Sequence, residues 1–171
     1  MTTMSAPDAG TPLVPTGNPL TSGMGPAAWS DRADVPDVNI HGKPRIVPME
    51  RAPGFHLESR DPDPRGKSVT GCDGAVAGTV AELWVDTAEP QLRYLGVRLA
   101  SGGRTVLLPA PCAKIGKDGS VKVHAITAAQ FADVPAHKTP GQVTLREEDQ
   151  ISAYFAGGYL YATPSRQEPL L

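Results

Sequence analysis

The alternation of apolar and polar residues is clearest over residues 78–108, where it predicts three consecutive β-strands. The strands span residues 79–85, 92–99 and 104–108, and the middle one has the period of two that is typical of a half-buried strand. A turn over 86–91 joins the first two strands. Gly102 and Gly103 supply the tight turn into the third, because glycine adopts positive φ without a steric cost. The pattern therefore predicts an antiparallel meander.

Shorter β patterns flank this meander on both sides. The glycine-rich segment 68–78 predicts a strand, a turn and a bend that lead into the meander. Beyond it, segments 113–115 and 121–125 flank a Gly-Lys-Asp-Gly sequence at 116–119, which is typical of a hairpin. Five or six short strands in about 60 residues suit a small closed or nearly closed barrel.

Two short helices are predicted after the strands. A Thr-x-x-Gln capping box at 127–130 begins the first helix, and Pro135 should end it. A Thr-x-x-Glu box at 144–147 begins the second, which is predicted to end at the glycine pair 157–158. The predicted fold class is mainly β: a small antiparallel barrel with two short C-terminal helices and a long irregular N-terminal arm.

The N-terminal part of the chain lacks any periodic pattern. Residues 1–12 are small, polar and proline-bearing, and are predicted to be disordered unless a partner holds them. Residues 13–67 are predicted to form an extended, irregular arm whose apolar residues are too isolated to bury one another. These residues are Leu13, Val14, Leu20, Met24 and Trp29. Because a structureless arm of this length is uncommon in a self-contained domain, we expect it to dock on a partner.

The predicted organisation continues through three further segments. Residues 68–126 form the barrel, and residues 127–165 form short helices that pack on the barrel and on partner subunits. Residues 166–171 form a polar tail.

Composition restricts the class of protein. The 171 residues fit one domain with an arm, and because aromatic residues are only 5% of the chain, the predicted core is small and aliphatic. A formal net charge of −2 offers no basic face for nucleic acid. Cys72 and Cys112 lack metal-ligand spacing, and we interpret them as small buried hydrophobes rather than as a disulfide. No signal peptide is apparent, and the longest mainly apolar run, 153–162, is about half of the ~20 residues that a membrane-spanning helix requires.

Charged residues gather around the first turn of the meander. Asp86 and Glu89 lie in the turn, and Arg93 lies just inside the next strand. A solvated turn is the simplest interpretation of such a pair of acids. His41 lies in a polar, acidic segment, which is also typical of a solvated loop, but an exposed histidine titrates near pH 6.5 and can pass protons. His124 lies on an alternating strand, which is more typical of a structural residue than of a ligand.

Motifs of common enzyme classes are absent from the sequence. It contains no glycine-rich phosphate loop, no His-Glu-x-x-His, no Cys-x-x-Cys and no Gly-x-Ser-x-Gly. Composition and motifs alone therefore indicate a small barrel domain with an arm that is predicted to bind a partner.

Several short motifs, in one order along the chain, resemble those of a subunit of a membrane complex. They are Pro-Thr-Gly-Asn-Pro-Leu at 15–20, Asp-Val-Pro at 34–36, Gly-Phe-His at 54–56, Gly-Cys-Asp at 71–73, Leu-Trp-Val-Asp at 83–86, Leu-Leu-Pro at 107–109, Val-Thr-Leu at 143–145 and Tyr-Phe-Ala-Gly-Gly at 154–158. Together they are similar to the H subunit of the purple-bacterial type photosynthetic reaction centre, whose core is a PRC-barrel. The resemblance covers roughly residues 13–165.

This resemblance implies a non-enzymatic subunit that caps the cytoplasmic side of the reaction centre. Such a subunit stabilises the core and the quinone sites and helps to deliver protons to the secondary quinone. The resemblance also implies that this chain alone binds no cofactor, and that other subunits hold bacteriochlorophyll, bacteriopheophytin, quinones and non-haem iron. The implied partners are the L- and M-type subunits and light-harvesting antenna, but not nucleic acid, at the cytoplasmic face of the photosynthetic membrane.

Four residues match functional positions of that family. Asp86 and Glu89 fall on acidic proton-transfer positions near the secondary quinone, and Arg93 falls on the basic position that pairs with those acids. His41 matches a histidine of the surface region where protons are taken up. Arg93 fits a structural ion-pair former equally well.

The sequence departs from the family in two places. The uptake region often has a second histidine where this chain has Lys43, and an acid where it has Asn39, so proton uptake is expected to be weaker there or located elsewhere. Family members usually begin with a transmembrane helix, and none is apparent in this sequence. We expect the anchor to be a separate polypeptide.

Two other classes of function remain open at this point. One is an RNA- or ribosome-associated PRC-barrel factor, which predicts a basic face and usually a second barrel; the net charge of −2 argues against it. The other is a free-standing regulatory barrel, which would not need so long an arm with scattered apolar residues.

Overall fold

The computed structural model describes residues 17–21 and 27–166. The disorder predicted for residues 1–12 and most of the predicted tail lie outside the described residues, as do Leu13, Val14 and Met24. In the part of the chain that is described, no helix has both the length and the apolar character needed to cross a membrane.

Within the described residues, seven strands and one α-helix form the domain. The strands are β1 (Ile46–Pro48), β2 (Ser68–Thr70), β3 (Val76–Asp86), β4 (Gln91–Leu99), β5 (Thr105–Pro109), β6 (Ala113–Ile115) and β7 (Val121–Val123), and the helix is α1 (Leu145–Tyr161). Short 3₁₀ helices lie at Met49–Arg51, Ala110–Cys112, Ala129–Asp133 and Pro164–Arg166. The predicted meander corresponds to β3, β4 and β5, and the predicted hairpin corresponds to β6 and β7.

The strands form one curled sheet in the order β5-β4-β3-β2-β7-β6, and β1 pairs with β3 outside this path. The mainly β class and the small barrel are therefore confirmed. Every named strand pair is antiparallel except β2 with β7, which is parallel. Parallel neighbours require a long crossover, and here β3 to β6 supply it. Local sequence patterns cannot reveal such a long-range pairing.

The core is largely aliphatic, as predicted, with a few large aromatic side chains at its centre. The largest fully buried side chains include Trp84, Tyr154, Phe131 and Phe155 beside leucines of β3, β4 and β5. The middle of β4 is buried on both faces rather than on one, over residues 94–97. Its period of two is therefore a weaker guide to burial than expected, because β4 is a central strand of a curled sheet.

Only one of the two predicted helices is an α-helix. The capping box at 127–130 forms, with the Thr127 amide donating to Gln130 Oε1 at 2.9 Å, but the following segment is a 3₁₀ helix that ends at Asp133. Two residues later Pro135 removes a backbone donor, which leaves no room for a full α-helix. The second capping box, Thr144 with Glu147, forms as predicted.

The prediction that α1 ends at the glycine pair is wrong, because the helix continues to Tyr161. Both glycines are sites of close packing rather than of chain reversal. A Cβ atom on Gly157 would lie 2.8 Å from the Cβ of Ala27, and one on Gly158 would lie 2.6 Å from Ile126 Cγ2. Glycine is therefore required inside this helix because neighbouring chain segments approach its backbone.

The predicted arm is not uniformly irregular. Its β1 strand pairs with the end of β3, with Ile46 opposite Asp86, and Pro36 forms a β-bridge with Thr144. These contacts lay the arm across the end of β3 and the start of α1. Three distant parts of the chain thus meet at Asp86.

Candidate functional site: a buried charge cluster at the end of β3

Asp86 is the last residue of β3, opposite Gln91 in β4 and Ile46 in β1. The sheet register is irregular between Trp84 and Val85. The Asp86 side chain is fully buried, with 0% of its surface exposed. The prediction had placed this carboxylate in a turn, whereas the structure places it inside the domain.

Five donors surround the Asp86 carboxylate. Arg45 binds it through two atoms, with Nε 2.8 Å from Oδ1 and Nη2 2.8 Å from Oδ2. Arg93 Nη1 lies 3.4 Å from Oδ2. The amides of Ala88 and Glu89 donate to Oδ1 at 2.9 Å and 3.2 Å, which fixes the turn. A paired and hydrogen-bonded carboxylate is the form in which a buried charge is tolerated.

These contacts hold Asp86 ionised. Burial raises the pKa of its carboxyl, but the hydrogen bonds from Arg45 and from the two amides outweigh burial. The pKa of Asp86 consequently lies below its ordinary value of 3.8. At neutral pH Asp86 is therefore a fixed negative charge that orders two arginines.

Arg93 extends the cluster to helix α1. Its Nη2 lies 3.3 Å from Glu148 Oε1, and the Tyr94 hydroxyl donates to the same oxygen at 2.8 Å. The Glu148 side chain is 12% exposed. We refer to Asp86, Arg45, Arg93, Glu148 and Tyr94 as the Asp86 cluster.

The two carboxylates of this cluster differ in their proton affinity. Burial raises the pKa of Glu148 above its ordinary value of 4.5, although the Tyr94 hydrogen bond and the Arg93 charge act against it. Burial, followed by the Glu148 charge, raises the pKa of Tyr94 well above its ordinary value, so the hydroxyl remains a donor. Glu148 is thus the member of the cluster best suited to hold a proton transiently.

Glu89 lies at the surface beside the cluster. Its side chain is 71% exposed, and its Oε1 lies 3.9 Å from Arg45 Nη2. The structure therefore brings three of the four predicted site residues together, namely Asp86, Glu89 and Arg93. Arg45 connects Asp86 with Glu89, and Arg93 connects Asp86 with Glu148.

His41 is placed apart from these residues, in the arm loop 39–43. Asn39 shapes this loop, because its Oδ1 accepts the amides of His41 and Lys43 at 2.9 Å and 3.2 Å. Asn39 Nδ2 lies 3.4 Å from Thr87 Oγ1, which ties the loop to the residue after Asp86. His41 lines a cavity of about 590 Å³ together with Thr87. Within the described residues, no side-chain hydrogen bond or ion pair links His41 to the Asp86 cluster.

Arg45, Glu148 and Tyr94 were missed by the sequence analysis. Glu148 follows the second predicted capping box, and Arg45 carries no motif, so neither was predicted as a site residue. Ile46 pairs with Asp86, so the basic residue just before it, Arg45, could have been predicted to reach Asp86 if the pairing of β1 with β3 had been known. However, β1 itself was not predicted.

Other candidate chemistry is sparse. No group of three or more potential metal ligands occurs within residues 17–21 and 27–166. Cys72 and Cys112 are free thiols and half-buried, and burial raises the pKa of Cys112. His124, interpreted above as structural, is exposed on the chain just after β7.

Two protein-family models match the chain. The model described as the N-terminal region of the photosynthetic reaction centre H-chain matches residues 1–51, and the PRC-barrel domain model matches residues 56–127. The first match covers most of the arm, and the second contains β2 to β7. The chain is an H-subunit-type protein. The PRC-barrel match begins at residue 56, before the predicted barrel start at residue 68.

An H-type chain is a non-catalytic subunit of the photosynthetic reaction centre, and the association expected of this chain is with that complex. The H-chain match falls on the N-terminal segment, which a ribosome-associated PRC-barrel factor or a free-standing barrel would not share. The arm, rather than the barrel, therefore distinguishes the three classes considered from the sequence.

Proposed function

We propose that this H-type chain caps the cytoplasmic side of a photosynthetic reaction centre, stabilises its core and quinone sites, and assists proton delivery to the secondary quinone. The observation that supports the proposal is the Asp86 cluster together with Glu89. The exposed Glu89, two arginines, the buried Asp86 and the partly buried Glu148 follow one another from the surface inwards. Burial of the Asp86 charge costs free energy that its partners must offset.

The chemistry of quinone reduction explains why such a cluster is useful. Double reduction of a quinone consumes two protons, and an isolated proton cannot cross an apolar layer cheaply. Acids whose pKa values are spread by their surroundings can take up and release protons in sequence. A protein layer over a quinone site therefore needs titratable groups that connect it with solvent.

Within this proposal the residues have different roles. Glu89 and His41 take up protons from solvent and pass them on towards Glu148, whose pKa burial raises above its ordinary value. Asp86 belongs to the same route, and Arg45 and Arg93 set its charge and that of Glu148. A proton-transfer role for Asp86 requires transient loosening of its arginine contacts, because its pKa is lowered.

The proposed partners are the L- and M-type subunits, with light-harvesting antenna nearby. Bacteriochlorophyll, bacteriopheophytin, quinones and non-haem iron would then belong to the other subunits. We place the chain at the cytoplasmic face of the photosynthetic membrane as a peripheral subunit, held by its docking arm.

Glu89→Gln in the assembled complex tests the proton-transfer role. We expect the first charge separation to be unchanged and the proton-coupled transfer of the second electron to the secondary quinone to slow by about tenfold, since an acid in the route is lost. Flash-induced kinetics between about pH 6 and pH 9 measure both steps.

Glu58→Gln is the matched control, because Glu58 is an exposed glutamate outside the Asp86 cluster. Identical second-electron kinetics in Glu89→Gln, Glu58→Gln and the unaltered complex would contradict the role of Glu89. Recovery of the chain only in a fraction free of pigment would contradict the broader proposal.

A further inference from the structure

A cavity of about 590 Å³ lies beside the Asp86 cluster, between the arm and the segment 139–142. Its basic lining residues are His41, Lys43 and Arg51, and no aspartate or glutamate lines it. Polar side chains of Asn39, Thr87, Thr139 and Gln142 complete this part of the wall, and the Thr87 hydroxyl already donates to the Arg45 carbonyl at 2.9 Å. Among the described residues, the lining of the cavity therefore carries basic groups and no acidic group.

The cations of this cavity differ from most other arginines and lysines that stabilise the arm. Arg45, Lys138 and Arg146 each form an ion pair with an acid. Among the described residues, neither Lys43 nor Arg51 has an acidic partner within ion-pair distance. In a chain with more acidic than basic residues, two cations without an ion pair that line one cavity are available for an external anion.

The exposed Arg51 side chain lies against Gly141 at the cavity wall. A Cβ atom on Gly141 would meet Nη1, Nη2 and Cζ of its guanidinium. Gly141 has a φ of +73°, a conformation that favours glycine. Glycine at this position therefore leaves room for the guanidinium beside the cavity.

The remaining wall is apolar and suits more than a bare ion. Val47, Ala52, Pro53 and Phe55 also line the cavity. The volume is far larger than a single small anion, and ligand pockets of this kind typically combine an apolar wall with a few polar groups. A ligand with an anionic head and an apolar portion matches both the basic and the apolar lining residues of this cavity.

Phosphate is the anionic group that these donors fit best. A guanidinium binds two phosphate oxygens at once, and a lysine ammonium can bind a further oxygen. A phosphate therefore has enough oxygens for Arg51 and Lys43 together, whereas a carboxylate has only two. We propose that this cavity binds the phosphate group of an amphiphilic phosphate ester, with Lys43 and Arg51 as its charged ligands.

Two sources carry this phosphate group, a phospholipid headgroup and a soluble phosphate ester, for which inorganic phosphate is the probe. Titration of the full chain with inorganic phosphate, followed by NMR or calorimetry, tests the soluble source. Flotation with vesicles of phosphatidylglycerol in phosphatidylcholine, against phosphatidylcholine alone, tests the lipid source. Arg51→Gln and Lys43→Gln should each weaken binding about tenfold, because each removes a charge-assisted contact.

Arg60→Gln and Lys117→Gln are matched controls, since both residues are exposed and do not line the cavity. Saturable binding of either probe that Arg51→Gln and Lys43→Gln weaken, but the two controls retain, supports the proposal and identifies the source. The proposal is overturned if neither probe binds, or if the cavity variants and the control variants bind alike. Thermal unfolding of each variant verifies that the fold is intact.

Discussion

The Tyr94 hydroxyl donates a hydrogen bond of 2.8 Å to Glu148 Oε1, across 54 residues of sequence. This contact joins β4 to the first turn of α1, and Arg93 reaches the same oxygen from the neighbouring position. Because Glu148 has only these two partners for its side chain among the described residues, its protonation and the docking of α1 are coupled. The effect of pH on folding should therefore report on this contact.

Glu148→Gln should change how stability depends on pH. The pKa of Glu148 is raised in the folded state above the ordinary value of 4.5, so its contribution to stability is fully present below about pH 4.5 and is lost as pH rises through the folded-state pKa. Glutamine lacks this titration. The stability lost in Glu148→Gln should consequently be largest near pH 4 and smaller at about pH 7.

Urea unfolding of both proteins at several pH values measures this difference. Glu58→Gln serves as the control, because Glu58 is exposed and its removal should leave the pH profile unchanged. A loss of stability in Glu148→Gln that is the same at every pH would show that Glu148 does not titrate differently in the folded state.

Asp86→Asn should have the opposite pH dependence. The pKa of Asp86 is lowered in the folded state, so its carboxylate stabilises the fold above about pH 4 and this contribution is lost as pH falls through the folded-state pKa. At pH 7 we expect Asp86→Asn to lower the free energy of unfolding by about 2 kcal/mol, because Arg45 and Arg93 lose their negatively charged partner.

The comparison of unfolding free energies at about pH 7 and about pH 2 measures this effect. The difference between Asp86→Asn and the unaltered protein should shrink towards the lower pH. Asp73→Asn is a suitable control, because Asp73 is exposed and carries no ion pair within the described part of the chain. An undiminished difference at low pH would exclude an ionised Asp86 as the source of the stability.

The meander and both capping boxes could be predicted because their determinants are local. Alternating residues and glycine turns specify β3, β4 and β5, and the hydroxyl and acid of a capping box lie three residues apart. By contrast, the burial of Asp86 depends on Arg45, which lies 41 residues earlier. The pKa of Glu148 depends on Tyr94 and on burial by other elements. No local pattern contains these contacts.

The same reasoning explains the wrong end of α1. A glycine pair after a helical pattern usually marks a helix end. Gly157 and Gly158 instead allow Ala27 and Ala125 to approach the helix backbone, and both neighbours are remote in sequence. Resemblance to the H subunit identified Asp86, Glu89 and Arg93 as one group, which composition and spacing alone could not do.

Thr144→Ala should loosen the start of α1, which carries Glu148. The Thr144 hydroxyl accepts a hydrogen bond from the Glu147 amide at 3.1 Å, and Glu147 Oε1 accepts one from the Thr144 amide at 2.9 Å. Loss of an N-cap side chain costs about 1 kcal/mol. Chemical denaturation measures this loss, and Ser152→Ala, on the exposed face of the same helix, should differ little from the unaltered protein. Equal stabilities for Thr144→Ala and Ser152→Ala would exclude a stabilising role for the cap.

Gly158→Ala should destabilise the protein, although alanine is the better helix former. A Cβ at residue 158 would meet the carbonyl oxygen of Ala125 and lie 2.6 Å from Ile126 Cγ2, so backbone atoms must move. Overpacking of this kind costs about 2 kcal/mol. Gly157→Ala is the matched comparison, because its Cβ would meet Ala27 of the arm and a shift of this segment can relieve the contact. Thermal unfolding should therefore give a lower midpoint temperature for Gly158→Ala than for Gly157→Ala. The reverse order would show that contacts with the arm, rather than with the barrel, fix the position of α1.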